Sequence, residues 1–228
     1  GGLTYSGTIE AATLSNLSFQ VGGRVVKVLV TEGQRVEKDQ PLAELDRSEF
    51  EAAHEQARAT LDRAEKGAAQ LAAILEVSRR ALPDDVARAE AGLANARDVL
   101  TEAQSNRERY DQLYARQVVS KKEWEGVKLN DDTARSRVAE AEAVLRQAKS
   151  NLGRIGAMER ELEAARAQAA ASKAALEQAR IQLERTELRA PFPGIVTSRN
   201  IEPGEVVTPT RQAMTLSDLS GVKVKIYV

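Results

Sequence analysis

Few side chains of the kind that carry out catalysis or bind metals occur in this sequence. It contains one histidine, His54, and no cysteine. Thiolate nucleophiles, thiolate metal sites and disulfides within the chain are therefore excluded. His54 stands among Glu and Ala residues of a helical segment, where a histidine is usually an ordinary helix residue. We expect no catalytic residue, no metal and no cofactor, so the protein is not predicted to be an enzyme.

Carboxylates are abundant but dispersed. The chain has 34 acidic and 33 basic residues, a net charge of −1, and several carboxylates stand four residues from an arginine, as in Arg58/Asp62 and Arg180/Glu184. That spacing is typical of a solvated helix face rather than of an acid/base pair. The charge balance argues against a nucleic-acid binder and against a basic helix on a membrane surface. The sequence has no phosphate-binding loop, nucleophile elbow or apolar run of membrane-spanning length.

Two β-rich segments flank a long helical one. Alternating apolar residues and Gly/Pro turns predict strands in residues 14–47 and 189–217. Between them, residues 48–188 are rich in Ala, Glu, Arg, Gln and Leu, with apolar residues in steps of three and four, as in a left-handed coiled coil. Short strand-like runs lie at both ends, within residues 1–13 and 218–228.

The helical segment is predicted to fold back on itself. Its apolar pattern breaks at residues 117–119, and Ser120 then begins a Ser-x-x-Glu capping box that starts a new helix. Two antiparallel legs of nearly equal length follow, each roughly 100 Å long at 1.5 Å per residue. Pro83 in the first leg and the Gly153–Gly156 stretch in the second lie at similar distances from the tip. Because Pro and Gly both weaken helices, we expect both legs to be interrupted there, as a joint.

The two β-rich segments match each other. Each has a glycine, a second glycine ten residues later, a valine three residues further on, and a leucine twelve residues after the second glycine. We expect the glycines to stand at tight turns that require a positive φ. Each segment is too short to bury a core, so the two should pack on each other. The matching residues are Gly23, Gly33, Val36 and Leu45 in the first segment and Gly194, Gly204, Val207 and Leu216 in the second.

Two such segments resemble the halves of the biotinyl/lipoyl domain, a small flattened β-sandwich. In carrier versions of that domain a tight hairpin between the halves displays a modified lysine, whereas here the helical segment occupies that position, so a lipoyl or biotinyl group is not expected. A sandwich split by a helical hairpin resembles the periplasmic adaptor proteins, or membrane fusion proteins of the HlyD type. The stretches 17–36 and 188–204 carry this resemblance, and the jointed hairpin looks most like the YbhG-like branch, which is associated with ABC exporters.

The resemblance implies an α+β fold. A long antiparallel α-helical coiled-coil hairpin would be inserted between the two halves of a lipoyl/biotinyl-like β-sandwich. The strands within residues 1–13 and 218–228 would belong to an incomplete β-barrel domain, and we expect a membrane anchor in a segment absent from this chain.

The resemblance also implies partners and a docking site. Family members are periplasmic, form hexameric rings, and link an inner-membrane exporter, ABC-type in this branch, to a TolC-like outer-membrane channel. The family's docking motif is Arg, three residues, Leu, six residues, Ser, and Arg109, Leu113 and Ser120 match it. Arg109 and Leu113 would share one helix face, where the guanidinium can bind a carboxylate or carbonyl and the leucine can fill a groove. Trp124 is a weaker docking candidate that we expect to pack across the tip.

Each motif residue also has an ordinary interpretation. Arg109 could be a solvated charge, Leu113 a seam residue and Ser120 only a helix cap. We favour docking because the three occur together, beside the turn, at the family's spacing. Two other functions stay open: a carrier-type lipoyl or biotinyl component, which a modified lysine would reveal, and a coiled-coil spacer without a channel partner.

Overall fold

The computed structural model describes residues 7–10, 13–218 and 223–226. The chain divides into two compact units. The β-unit comprises residues 1–63 and 170–228, and the hairpin unit comprises residues 64–169. The predicted α+β fold, with a helical hairpin between two β-rich segments, is confirmed.

The β-unit consists mainly of two antiparallel sheets of four strands each. The strands of the chain are β1 Gly7–Glu10, β2 Thr13–Leu17, β3 Gly23–Val28, β4 Arg35–Val36, β5 Pro41–Leu45, β6 Glu187–Arg189, β7 Gly194–Arg199, β8 Val206–Val207, β9 Met214–Asp218 and β10 Lys223–Ile226. One sheet has the order β2-β9-β7-β4 and the other the order β6-β5-β3-β8. Each sheet takes two strands from each β-rich segment, so neither segment could build either sheet alone.

The matched residues of the internal repeat lie in the core of this sandwich. Val36 and Val207, and likewise Leu45 and Leu216, are at most 2% exposed. Burying an aliphatic side chain of this size stabilises a fold by about 1.5–3 kcal/mol. The repeat therefore marks the apolar positions through which the two segments hold each other together.

The repeat glycines have two different physical roles. Gly33 and Gly204 have φ values of +83° and +95°, which confirms the expected tight turns. The first glycine of each segment is not in that region. At Gly194 a Cβ atom would lie 2.4 Å from the backbone oxygen of Ser217, whereas at Gly23 it would meet only a side-chain carbon, at 3.3 Å. Gly194 is thus required by the close approach of β7 to β9.

The substitution Gly194→Ala should destabilise the β-unit by about 2 kcal/mol or more, because a backbone oxygen cannot move aside as a side chain can. The matched control is Gly23→Ala, which should cost less than half as much. Urea unfolding followed by circular dichroism measures both. Equal costs would contradict this account of Gly194.

A separate pair of strands joins the two ends of the chain. β1 pairs with β10 in antiparallel register, with Gly7 opposite Ile226 and Glu10 opposite Lys223. The sequence predicted strands near residues 3–9 and 222–228, of which residues 3–6, 222, 227 and 228 lie outside the described part.

Three helices connect the two halves of the sandwich: α1 Ser48–Ala115, α2 Lys121–Gly153 and α3 Ile155–Glu184. The expected interruption of the second leg is present, since α2 ends at Gly153 and α3 begins two residues later. The expected interruption at Pro83 is wrong, because α1 runs through it without a break. Pro83 is exposed and removes a single backbone donor, so solvent can bind the carbonyl of Arg79 left without its partner while the flanking turns continue the helix.

Ion pairs between the legs set the register of the hairpin unit. Each joins residues equally far from the tip on opposite legs, and all are exposed, so each contributes at most about 1 kcal/mol. Their value lies in specifying one antiparallel alignment of a thin seam of buried Leu and Ala side chains. The pairs are Arg79–Glu159 at 2.6 Å, Glu90–Lys149 at 3.3 Å and Arg97–Glu142 at 3.1 Å.

One seam position carries a carboxylate. Asp131 is 3% exposed, and its Oδ2 accepts a hydrogen bond of 3.0 Å from Nε of Arg135, one turn later. Its Oδ1 is buried and has no hydrogen-bond partner. A buried acceptor without a donor carries a desolvation cost that nothing offsets, so this seam position lowers the stability of the hairpin.

Replacing Asp131 by leucine should therefore stabilise the hairpin by about 1–3 kcal/mol, measured by thermal unfolding. Arg135→Ala should have the opposite effect in the wild-type background, because it leaves both carboxylate oxygens unpaired, and almost no effect in the Asp131→Leu background. A loss of stability in Asp131→Leu would mean that the carboxylate has a stabilising partner.

Candidate functional site

The turn between α1 and α2 is closed by backbone hydrogen bonds. The N–H of Val118 donates to the carbonyl of Leu113 at 2.9 Å, and the N–H of Gln117 donates to that of Tyr114 at 2.9 Å. This pair of bonds is the Schellman arrangement, which needs a residue in the left-handed conformation at the position after the cap. Gln117 occupies that position with a φ of +59°. The sequence did not reveal this motif because the position usually holds glycine.

The start of α2 is held by the predicted capping box. The backbone N–H of Glu123 donates to Oγ of Ser120 at 3.2 Å, and the N–H of Ser120 donates to Oε2 of Glu123 at 2.9 Å. Backbone and then side-chain hydrogen bonds from Ser120 hold the pKa of the Glu123 carboxyl below its ordinary value. The cap predicted at Ser120 is confirmed, and its hydroxyl is already engaged within the hairpin.

Trp124 anchors α2 to α1 just below the turn. Its ring stacks on that of Tyr114 with centroids 4.8 Å apart and an interplanar angle of 10°. Its indole Nε1–H donates to Oδ1 of Asp111 at 2.6 Å, and Asp111 also pairs with Arg107 at 3.0 Å. The guanidinium of Arg107 and the ammonium of Lys128 lie 5.7 and 5.8 Å from the indole centroid. Trp124 packs across the tip, as the sequence predicted, and we call these five residues the Trp124 cluster.

The same hydrogen bonds stabilise the ionised form of Asp111. The bond from Trp124, followed by that from Arg107, holds the pKa of the Asp111 carboxyl below its ordinary value of 3.8. The sequence analysis missed Asp111. The available signal was its position four residues after Arg107, which favours an ion pair on the inner face of α1.

Arg109 lies on the opposite face of α1. Successive residues of an α-helix are rotated by about 100°. Arg109 is two residues from both Arg107 and Asp111, so its side chain points about half a turn away from the Trp124 cluster. Arg109 is exposed, and it makes no ion pair or side-chain hydrogen bond within the part of the chain that the structure describes.

Leu113 follows Arg109 by one turn and lies two residues beyond Asp111. It also directly precedes Tyr114 of the Trp124 cluster and is half-buried, so it lies at the edge of the seam and its interpretation as a packing residue stays open. The structure places Arg109 and Leu113 on one face, as expected, whereas Ser120 lies across the turn from that face. Val118, at the turn itself, is 66% exposed and was not among the predicted site residues.

Other candidates do not assemble into a site. His54 is half-buried on α1. Among the residues that the structure describes, no group of three or more His, Cys, Asp or Glu side chains could hold a metal ion. Arg180 forms an ion pair with Glu184, as its spacing predicted. None of the described helices combines the length and apolarity needed to cross a membrane.

Comparison with known proteins identifies the family. The family model described as the CzcB-like, barrel-sandwich hybrid domain matches residues 13–218. The chain therefore belongs to the CzcB-like barrel-sandwich hybrid family.

Relatives and solved structures agree with this assignment. The chain is 34% identical over 229 residues to a UPF0194 membrane protein of Enterobacter sp. (strain 638) and to the UPF0194 membrane protein YbhG of Salmonella gallinarum (strain 287/91 / NCTC 13346). All of this chain is aligned, and it spans 65% of the length of these relatives. The predicted resemblance to the YbhG-like branch is thereby confirmed.

Two solved structures share the fold. The periplasmic adaptor protein EmrA matches with a TM-score of 0.57 at 21% identity, over 96% of this chain and 77% of that one. The soluble domain of LipC, a membrane fusion protein of a type I secretion system, matches with a TM-score of 0.57 at 16% identity, over 89% of this chain and 98% of that one.

The Trp124 cluster yields a pH-dependent prediction. Folding lowers the pKa of the Asp111 carboxyl below its ordinary value of 3.8. Asp111 therefore contributes stability that is present above pH 3.8 and is lost as the pH falls through the lower pKa of the folded state. Trp124→Phe keeps an aromatic ring at this position but removes the indole N–H donor. The pKa of Asp111 should then rise toward its ordinary value, and part of that acid sensitivity should disappear.

An NMR titration of the Asp111 carboxyl carbon measures this change directly. Trp124→Tyr is a less suitable variant because its hydroxyl is a new donor. An unchanged Asp111 titration in Trp124→Phe would contradict the role given to the indole hydrogen bond.

Proposed function

We propose that this chain is the periplasmic part of an adaptor that links an inner-membrane exporter, of the ABC type, to a TolC-like outer-membrane channel for efflux or secretion. The observation that carries the proposal is the tip of the hairpin. There Arg109 points away from the seam with no ion pair in the described part of the chain, and Leu113 lies one turn further along α1. The names of the structural neighbours, a periplasmic adaptor and a membrane fusion protein, support it.

The docking residues in this proposal are Arg109, Leu113 and Ser120. Arg109 would donate two parallel hydrogen bonds to a carboxylate or a carbonyl of the channel. Leu113 would enter a groove between helices of the channel. Ser120 would act through its capping box, since its hydroxyl is bonded to Glu123 at 2.7 Å and so fixes the start of α2 beside the docking face.

The β-unit would form the ring. In this proposal six copies pack side by side through their sandwiches, the hairpin tips bind the channel, and the adaptor is anchored to the inner membrane. The role is mechanical: the exporter supplies the energy, and the adaptor supplies a continuous passage.

Site-specific cross-linking in cells tests this proposal. The chain has no cysteine, so a single introduced cysteine is unique within it. Val118→Cys is the best tip position because Val118 is 66% exposed and, unlike Gln117, has no left-handed backbone to strain. Val144→Cys is the matched control, on α2 well below the tip and 59% exposed.

We expect the full-length Val118→Cys protein to cross-link to the TolC-like channel, and the Val144→Cys protein not to. Cross-linking from neither position in cells that still export would reject docking at the tip and favour a coiled-coil spacer. A lysine found modified by lipoate or biotin, by mass spectrometry of the purified protein, would favour a carrier.

A further inference from the structure

The first turns of α2 carry a second outward line of residues. Lys122 and Leu129 each lie two residues before a side chain that is directed toward α1, Trp124 and Asp131 respectively. At about 100° per residue, both therefore point about half a turn away from the seam. Leu129 is 67% exposed, so most of its apolar surface is not covered by the described part of the chain. Gly126 stands between them, so the three have i, i+4, i+7 spacing, and Arg109 and Leu113 show the same four-residue step on α1.

Gly126 is not required by the fold of the hairpin. A Cβ atom built on it meets no other atom within 4 Å, so alanine would fit. Glycine inside a helix lowers stability relative to alanine because it loses more conformational freedom on folding. Gly126 therefore lowers the stability of the helix without being needed for packing inside the hairpin. Because it has no side chain and lies near the exposed Leu129, it leaves room for another protein surface to approach the helix closely.

The unpaired charges around the tip are mostly positive. Arg107 and Lys121 are in ion pairs with Asp111 and Glu125, and Lys128 lies over the Trp124 ring. Within residues 107–129, three cations and one anion have no ion pair, side-chain hydrogen bond or cation–π contact; they are Arg109, Arg116, Lys122 and Glu108.

We propose that α2 carries a second docking face, made of Lys122, Gly126 and Leu129, and that the tip enters a groove of the channel whose two walls both carry carboxylates. This inference rests on the proposed function. One wall meets Arg109 and Leu113 of α1 and Arg116 of the turn that follows it. The other wall approaches closely at Gly126, accepts Leu129 into an apolar depression and presents a carboxylate to Lys122.

The charge of the tip favours a channel of this chemistry over a second copy of this chain. Two tips brought face to face would oppose the same unpaired cations, which raises the free energy of association. An acidic groove instead satisfies them, and it makes docking sensitive to salt.

The test measures binding of the purified full-length adaptor to the purified TolC-like channel of the same organism in detergent, at low and at moderate salt. Leu129→Ala should weaken binding about tenfold through lost apolar contact. Lys122→Glu should weaken it about tenfold at low salt, with a smaller loss of affinity as salt is raised. The matched control is Val144→Ala, which truncates an equally exposed side chain further down α2 and should leave binding unchanged.

Gly126→Ala should change stability and channel binding in opposite directions. It should raise the melting temperature of the protein by about 2–4 °C while weakening channel binding about tenfold. The control Gly92→Ala, at a helical glycine that also has open space around it, should give a similar gain in stability and unchanged binding. A structural role alone for Gly126 predicts no loss of binding.

The outcomes separate this inference from the proposed function. If Arg109→Glu abolishes binding while Lys122→Glu, Leu129→Ala and Gly126→Ala bind like the controls, docking stands and the second face is rejected. If none of these variants, Arg109→Glu included, changes binding to the channel, both are rejected. If the α2 variants instead change only the association of adaptor copies with one another, the occupant is a second copy and the acidic groove is rejected.

Discussion

The pairing of β5 with β6 is the constraint on which the rest of the structure depends. These neighbouring antiparallel strands place Glu44 opposite Glu187, about 5 Å apart as paired strands must be, although all three helices lie between them in the chain. A helical insertion that leaves and returns at one point must run out and back, so its legs must be antiparallel. Each sheet has two strands from either side of the insertion. The two sheets therefore hold the start and the end of the helical insertion together.

The hairpin keeps its two legs antiparallel although few large apolar side chains lie between them. Its seam uses alanine and leucine, and the chain has only 4% aromatic residues, so the legs approach closely but bury little area each. Alignment is specified by ion pairs placed equally far from the tip rather than by bulky knobs. The buried carboxylate of Asp131 lowers the stability of this seam further.

At the tip, the residues that face the other leg and those that face solvent have different roles. The Trp124 cluster, the Schellman bonds and the capping box satisfy the ends of both helices and hold their spacing. Arg109 on α1, and Lys122 and Leu129 on α2, lie about half a turn away from those contacts. Their side chains contribute little to holding the legs together, which leaves them available for a partner.

Much of this arrangement is determined by the sequence alone. The internal glycine, valine and leucine spacing predicts the two-part sandwich, and the apolar periodicity with its break before Ser120 predicts the hairpin and its turn, because both signals are local and periodic. The continuity of α1 through Pro83, the left-handed Gln117, the clash that requires glycine at position 194, and the bond from Trp124 to Asp111 were decided only by the tertiary structure. The left-handed Gln117 belongs to local backbone bonds that no glycine marks in the sequence. The other three features depend on which atoms of distant residues, or of solvent, surround the chain at that point, and no spacing along the chain encodes those neighbours.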